Sequence, residues 1–404
     1  MQATAQPLAA SIAALLLLAP VAGAQADAVT DWNARAGELI VESKLGTPPA
    51  IRVMAIVQTA VHEAVTATAA DAASGTSASP EAAVAAANRA ALGRLLPAQQ
   101  LSIDAAYRAA LAQVADGPSK STGIAIGEQA AAAVFARRAA DGALPAEAYR
   151  PHTTAGAYVP TAVPAAPQWS RRRPWLMTDP AQFRPGPPPP LTSEAWARDY
   201  NEVKSLGARA STQRTVEQTE AARFWEYSLP PIYHGVVRSV ADQGGRDIAR
   251  NARLFAAVAQ AMDDAMIAVF EAKYHYNFWR PATAIRNGDV DGNDATERDP
   301  SWMPFVDAPM HPEYPSAHSI LAAAVGAVLI GDLGDGAVPV LSTTSPTAKG
   351  AVRRWTSVDD FVREVAQARI HEGIHFRTSV EVGAAMGRKI GELAVARLAT
   401  AAAD

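Results

Sequence analysis

Five of the eight histidines in this 404-residue chain lie between positions 273 and 375, close to long cationic side chains. Three short blocks stand out there, reading KYHYNFWRP from Lys273, PSAH from Pro315 and RIHEGIH from Arg369. Arginine and lysine bind oxyanions through charged hydrogen bonds, and histidine exchanges protons near neutral pH. Brought together, the three blocks predict a pocket for a tetrahedral oxyanion.

The first block carries two cations at helical spacing. Lys273 and Arg280 are seven residues apart, so an unbroken helix would place both on one face, about 10 Å apart along its axis. Pro281 is expected to push Arg280 out of helical geometry and to end the helix there, which would let the guanidinium turn into a cavity. A solvated basic face would have the same spacing, whereas the aromatic residues between the two cations favour a buried one. Taken alone, the pair leaves both interpretations open.

The other two blocks lie beside predicted helix ends. Ser316 is a predicted N-cap, which would leave backbone N–H groups free to bind an anion, with His318 in the first turn. A helix cap without further function would look the same. Arg369 and His375 would point in different directions on a straight helix, so we predict a bend at Gly373 that lets them converge.

The remaining pattern predicts an all-α protein built from helix bundles, two four-helix-bundle-like halves with a strap between them. Residues 25–148 form the predicted N-terminal helical region, the proline-rich residues 149–192 the extended strap, and residues 193–404 the C-terminal bundle that carries the site. We expect a break at the two prolines 230–231, a long helix over 247–279 and a polar loop over 331–349. The glycines at 383, 387 and 391 predict close helix packing.

The strap contains three consecutive arginines at 171–173, interpreted as a solvated loop, with a phosphate-attracting patch as the alternative. Its aromatic residues, Trp169, Trp175 and Phe183, favour a strap packed on the helical body over a free linker.

Composition excludes several classes of function. The net charge of −4 offers no global attraction for nucleic acid, and the absence of cysteine excludes disulfides and thiolate chemistry. Residues 1–24 are interpreted as a signal peptide, which predicts export to the periplasm or medium. No later segment is apolar enough to predict stable membrane insertion. The sequence leaves the oligomeric state open, a homo-oligomer included.

The combined spacing of the three blocks resembles the type 2 phosphatidic acid phosphatase and vanadium-dependent haloperoxidase superfamily. That superfamily has Lys, six residues and Arg-Pro; then Pro-Ser-Gly-His; then Ser-Arg, five residues, His, three residues and Asp. This chain supplies Lys273 and Arg280-Pro281, the block from Pro315 to His318, and Arg369 with His375. The match covers about a quarter of the chain, and FWRP and EYPS look most like the soluble haloperoxidase branch.

Three positions depart from that pattern. Ala317 replaces the glycine, which requires a negative φ there, and Ala368 replaces the serine before Arg369. Ser379 stands where the aspartate should follow His375. In phosphatases that aspartate is thought to orient the histidine, so its loss weakens the phosphatase interpretation more than the vanadate one.

The resemblance implies a vanadate cofactor with His375 as the axial ligand. It further implies that Lys273, Arg280 and Arg369, with the Ser316 hydroxyl and the Ala317 N–H, hold the oxygens. His318 would act as acid and base, and Lys273 would polarise the peroxide. The implied substrates are hydrogen peroxide and a halide, with an organic acceptor allowed for.

A histidine at the halide-site candidate His311 points to bromide or iodide ahead of chloride. The alternative is a soluble exported acid phosphatase that uses His375 as nucleophile and His318 as leaving-group acid. A helical-bundle protein with a non-catalytic anion pocket is a third hypothesis.

Overall fold

The computed structural model describes residues 27–73, 75, 77–143 and 149–400, without the side chains of 398–400. The predicted all-α fold is confirmed, because these residues form 13 α-helices and one two-stranded sheet. The predicted signal peptide, residues 1–24, lies outside the described residues. The helices are α1 (Ala28–Glu42), α2 (Thr47–Ala73), α3 (Pro80–Leu95), α4 (Gln100–Leu111), α5 (Pro118–Arg138), α6 (Glu194–Leu206), α7 (Val216–Trp225), α8 (Pro230–Ala241), α9 (Ile248–Tyr276), α10 (Pro281–Arg286), α11 (Ala317–Leu333), α12 (Val358–His371) and α13 (Arg377–Thr400).

Helix α9 connects two groups of helices, one that contains α2, α3 and α5 and one that contains α11 and α13. It packs against α2, which also packs on α3 and α5, and against α11 and α13 on the other side. Its residues are buried on every face along most of its length, which is typical of a central helix. The main hydrophobic cluster accordingly runs from Val29 to Ala394 without a division between the groups.

One described helix, α2, is long and apolar enough to cross a membrane, contrary to the sequence expectation. Two-thirds of its most apolar window, 67%, is buried inside the structure. Burial against α9, α3 and α5 accounts for this apolar composition.

Two predicted irregular segments have regular structure. The loop expected over 331–349 contains strand β1 (Leu341–Ser345), which pairs antiparallel with β2 (Ala351–Trp355). The break expected at residues 230–231 is the beginning of α8, because proline is well tolerated in the first helical turn.

The long helix of the first block ends earlier than predicted. Helix α9 stops at Tyr276, and Asn277 adopts the left-handed conformation with a φ of 49°. Arg280 is therefore outside the helix and is the N-cap residue of α10. The prediction that Lys273 and Arg280 share one helix face is wrong, because asparagine tolerates the left-handed turn that redirects the chain.

The strap is packed, and its three arginines differ. Arg171 and Arg173 are exposed, as a solvated loop predicts, whereas Arg172 points inward and is buried. Arg172 is fully buried and donates to Asp263 at 2.6 Å and to Asp141 at 2.8 Å. The neighbouring Asp264 accepts hydrogen bonds from three consecutive backbone N–H groups, those of Trp175, Leu176 and Met177. Buried charges are stable when paired in this way, so these contacts fasten the strap to α9.

The glycines of α13 pack on α11, as predicted. A Cβ atom added at Gly383 would lie 2.7 Å from the Ser316 carbonyl oxygen, and one at Gly391 would lie 2.5 Å from that of Ala324. These distances are too short for a real side chain, so glycine is needed for the approach. The stripe holds the beginning of α11, with Ser316 and His318, at a fixed position.

A candidate oxyanion site

The predicted site residues gather around a cavity of about 310 Å³ between α2, α9 and the beginning of α11. The polar and charged part of its lining includes His311, His318, Arg369 and His375. Apolar residues make up much of the rest, among them Met266, Phe270, Leu321, Pro48 and Pro309. The three sequence blocks thus meet, although their ends are about a hundred residues apart.

Lys273 and Arg280 lie behind the cavity wall and bind the segment 311–313. The Lys273 ammonium donates to the carbonyl oxygens of Pro312 at 2.9 Å and Glu313 at 2.6 Å. Arg280 donates from Nε to the His311 carbonyl oxygen and from Nη2 to His311 Nδ1, both at 2.9 Å. Both side chains are almost completely buried, and these hydrogen bonds hold them in place.

His375 is hydrogen-bonded at both ring nitrogens. Its Nδ1 is 2.7 Å from Glu313 Oε1, and its Nε2 is 3.3 Å from Nη1 of Arg280. Because a guanidinium can only donate, Nε2 must carry the lone pair and Nδ1 the proton, a tautomer inferred from these partners. The lone pair that could bind an oxyanion's central atom therefore points toward Arg280.

The predicted bend between Arg369 and His375 is present. Helix α12 ends at His371, and Gly373 has a φ of 78°, a conformation that favours glycine. A Cβ atom there would also lie 3.0 Å from the Pro304 Cα. Arg369 donates to Glu372 Oε1 at 2.5 Å and to the Trp225 carbonyl oxygen at 2.7 Å, while its Nε has no partner among the described residues.

The beginning of α11 has the predicted cap. The Ser316 hydroxyl accepts from the Ser319 backbone N–H at 3.4 Å. Ala317 has no positive φ, so alanine can replace the glycine of the superfamily pattern there. His318 lies in the first turn and lines the cavity, and its buried Nε2 has no hydrogen-bond partner among the described residues. Ser316 itself is fully buried beside the cavity rather than among its lining residues.

The electrostatics of the site favour an anion. Burial, with the added repulsion of Arg280 and Arg369, holds the pKa of Lys273 well below its usual value, despite the attraction of Glu313. Burial and the neighbouring Arg369 likewise lower the pKa of His318. Burial lowers the pKa of Arg280 to about 10. Desolvated cations destabilise one another, and an anion among them would reverse these shifts.

Vanadate fits this set of residues. It is an oxyanion that needs several N–H donors and one lone pair, and the unpartnered His318 Nε2 and Arg369 Nε supply hydrogen-bonding atoms beside the cavity. The lone pair is on His375 Nε2. Two carboxyl groups, those of Glu313 and Glu372, offset part of the local positive charge. A bound anion would offset the positive charge that remains.

Sequence reasoning missed the importance of both carboxylates. Glu372 follows Arg369 by three residues, the i,i+3 spacing of a helical ion pair, and that signal was available. Glu313 lies 62 positions from His375, so no local spacing could have paired them.

Comparison with known proteins supports the same interpretation. Residues 253–403 match the family model of the VCPO second helical-bundle domain. The vanadium chloroperoxidase of Curvularia inaequalis is 30% identical over 174 residues, a match that covers 34% of this chain and 28% of that protein. The chain therefore matches less than a third of the length of that relative.

Solved structures extend the similarity to the whole fold. A bacterial vanadium-dependent iodoperoxidase has a TM-score of 0.74 at 24% identity, covering 91% of this chain and 95% of that one. A bacterial vanadium-dependent chloroperoxidase in its apo form has a TM-score of 0.71 at 19% identity, covering 88% and 95%. These two structures share the fold of this chain, and together with the family model and the Curvularia relative they confirm the resemblance to the vanadium haloperoxidases.

Proposed function

We propose that this chain, which resembles the vanadium haloperoxidases in its C-terminal bundle and in its fold, is a vanadate-dependent enzyme that oxidises halide with hydrogen peroxide. The observation that carries the proposal is the geometry of His375. Its Nε2 lone pair faces Arg280, with Lys273 and Arg369 buried nearby and His318 across the same cavity. One nitrogen ligand among cations suits a bound metal oxyanion.

The residues of the chain divide the work. His375 Nε2 would be the ligand, and Arg280, Arg369 and Lys273 would neutralise the oxygens, with the Ser316 hydroxyl and the Ala317 N–H nearby. Bound vanadate would supply the Lewis acid that activates hydrogen peroxide. His318, neutral because burial lowers its pKa, can take up a proton at its unpartnered Nε2 and return it. The apolar residues in the cavity lining would limit the access of water to these groups.

His311 remains the candidate for contact with the halide. Its Nδ1 lies 2.9 Å from Arg280 Nη2 and 3.2 Å from the Pro312 carbonyl oxygen. The guanidinium is nearer and can only donate, so it favours the tautomer with the proton on Nε2, and His311 lines the cavity. An N–H group beside buried cations can donate to a halide ion. We propose bromide or iodide as the preferred halide on the ground of the histidine at position 311. The similar proteins are named for iodide and for chloride and do not select one.

His311→Ala tests that assignment. We expect kcat/KM for the preferred halide to fall about tenfold, the size of one lost hydrogen bond to a charged group, with a smaller change for hydrogen peroxide. The exposed His275 lies on α9 near Lys273, and His275→Ala is the matched control. Equal losses for chloride, bromide and iodide would remove His311 from the halide site.

The activity itself is tested by loading the purified protein with orthovanadate and measuring halogenation of a 1,3-diketone with hydrogen peroxide. Activity should require both vanadate and halide, and His375→Ala should abolish it. The same preparation without vanadate is assayed with p-nitrophenyl phosphate. Turnover of that ester, with no halide oxidation, would make the protein an acid phosphatase that uses the same pocket; neither activity would support a non-catalytic anion-binding protein.

A further inference from the structure

The partner of His375 Nδ1 comes from an unexpected part of the chain. In the superfamily pattern an aspartate follows the histidine by four residues, and this chain has Ser379 there. The Ser379 hydroxyl is 3.3 Å from Nδ1, whereas Glu313 Oε1 is 2.7 Å away. Glu313 lies on the segment before α11 and is completely buried.

We propose that Glu313 is the positioning residue of His375 and performs the task that the pattern assigns to the aspartate. Its carboxyl oxygen Oε1 accepts a hydrogen bond from the N–H at Nδ1. The lone pair of the ring is thereby kept on Nε2, which is directed into the oxyanion site. This inference rests on the proposed function in taking Nε2 as the ligand atom. Histidine ligands of metals are commonly oriented by a carboxylate in this way.

The direction of the hydrogen bond is set by the neighbouring donors. Glu313 Oε1 also accepts from the Phe376 backbone N–H at 3.0 Å, so this oxygen is an acceptor whichever charge state the carboxyl has. At the other side of the ring, Arg280 Nη1 can only donate to Nε2. Both contacts require the proton to be on Nδ1.

Glu313 is itself held rigidly. Its backbone N–H donates to the Phe278 carbonyl oxygen at 2.9 Å, and its own carbonyl oxygen accepts from the Lys273 ammonium at 2.6 Å. A carboxylate fixed at both backbone groups can fix a ring in turn. The Ser379 hydroxyl lies farther from His375 Nδ1, at 3.3 Å, and is therefore a weaker acceptor than Glu313.

Two substitutions separate the accepting oxygen from the rest of the side chain. Glu313→Met keeps the length and removes the oxygens, and we expect affinity for orthovanadate to fall about 10- to 100-fold in calorimetric titrations. Inorganic phosphate needs the cations but no ligand bond from Nε2, so its affinity should change less than about threefold. Glu313→Gln retains one accepting oxygen and should bind orthovanadate much as the unsubstituted protein does. Equal loss of both oxyanions in Glu313→Met would indicate a collapsed pocket and overturn the proposal.

A second-site substitution tests the exchange of roles. Glu313→Met/Ser379→Asp places a carboxylate where the superfamily pattern has it, and we expect it to recover most of the lost orthovanadate affinity. The control is Asp332→Leu, which removes a carboxylate paired with Arg246 at the opposite end of α11, about 24 Å along the helix. It should lower thermal stability without changing orthovanadate affinity. A folded double variant with no recovery would contradict the exchange.

A readout without any oxyanion keeps the two proposals distinct. NMR of ¹⁵N-histidine-labelled protein should show His375 protonated at Nδ1, with its signals identified by their loss in His375→Gln. Because Arg280 Nη1 also favours this tautomer, the decisive signal is the Nδ1 proton itself. Glu313→Met should remove the downfield shift and the slow exchange with water that a hydrogen bond to Glu313 Oε1 gives this proton, and Glu313→Gln should retain most of both. If the proton signal changes as expected but the unsubstituted protein binds neither oxyanion, the proposed function fails and the positioning role stands. An unchanged Nδ1 proton signal in Glu313→Met would overturn the positioning role.

Discussion

At the scale of single residues, the site is a set of buried cations with incomplete compensation. Arg369 is paired with Glu372 at 2.5 Å, whereas Lys273 binds carbonyl oxygens and Arg280 binds carbonyl oxygens and imidazole nitrogens. Carbonyl oxygens solvate a cation without neutralising it. Burial, and after it the repulsion between these incompletely compensated cations, lowers the pKa values of Lys273 and His318.

Sulfate should therefore bind more tightly at lower pH. Sulfate is a dianion throughout pH 6–9, so any pH dependence belongs to the protein. Groups whose pKa is lowered in the free site lose protons as pH rises, and a bound dianion raises those pKa values, so binding takes up protons. We expect affinity to fall with rising pH by up to about tenfold per unit for each proton taken up. Calorimetry in buffers of different ionisation enthalpy measures that uptake; an affinity that stays constant over the range would contradict this account.

Several site residues could be predicted because their spacing carries chemical information. Lys273, Arg280, His318, Arg369 and His375 were found from residue type and order, and the structure brings them to one cavity and its wall. Their roles stay predictions until the assays are made. Glu313 could not be predicted, because its contact with His375 depends on how the loop before α11 folds against the loop after α12.

At the scale of elements, the position of α11 depends on the glycine stripe of α13. Gly383, Gly387 and Gly391 lie against successive turns of α11, and α11 carries Ser316 and His318 at its beginning. Any side chain in the stripe would push the two helices apart. The stripe is thus a structural requirement of the site, although it contains no reactive group.

Gly387→Ala should destabilise the protein. An added Cβ would collide with the Ile320 carbonyl oxygen, and overpacking of this kind costs about 1–3 kcal/mol. The matched control is Gly244→Ala, where a Cβ atom meets nothing within 4 Å. Denaturant unfolding of both variants measures the difference. Equal stability of the two would mean that α13 can shift without cost.

The helices could be predicted well because apolar residues recur with the helical period of 3.6 over many residues. The exceptions have local causes. Strand β1 was not predicted because it lies in the polar, glycine-containing segment 331–349. The strand, Leu341–Ser345, is also short and mostly polar. The aromatic run after Lys273 continues the helical pattern, but Asn277 ends it by adopting a left-handed φ. The conformation of this one residue is why the predicted geometry of the Lys273–Arg280 pair is wrong.

At the scale of the whole molecule, α9 belongs to the packing of both groups of helices. Through its contacts with α2 and with α11 and α13, the main hydrophobic cluster continues from one group into the other. A smaller cluster around Trp196 and Trp279 lies beside it. The division into residues 25–148, 149–192 and 193–404 stays a prediction about the chain. The packing indicates that the described parts of these regions are stabilised together.

We expect a single unfolding transition in calorimetry as a result. Met262→Ala, in the buried middle of α9, should lower stability by about 2–5 kcal/mol and shift that whole transition. Circular dichroism and tryptophan fluorescence should report the same midpoint. Two resolved transitions, with one unaffected by the substitution, would show that the two groups of helices unfold independently.

The strap should contribute to the same transition. Arg172→Met would leave the carboxylates of Asp263 and Asp141 buried without this partner, and breaking a buried ion pair from one side costs about 3–5 kcal/mol. The exposed Arg171→Met is the control. A variant of Arg172 that melts with the unsubstituted protein would show that the Arg172 ion pairs do not hold the strap in place.

The contact between Glu313 and His375 also affects how proteins of this kind are recognised. A search pattern that demands aspartate four residues after the ligand histidine rejects this chain at Ser379, although the carboxylate is present in space at 2.7 Å. A pattern that accepts an acidic residue either at that position or two residues before the Pro-Ser pair would retain it. Sequence collections filtered by the stricter pattern would lose such chains and misjudge how widely this chemistry occurs.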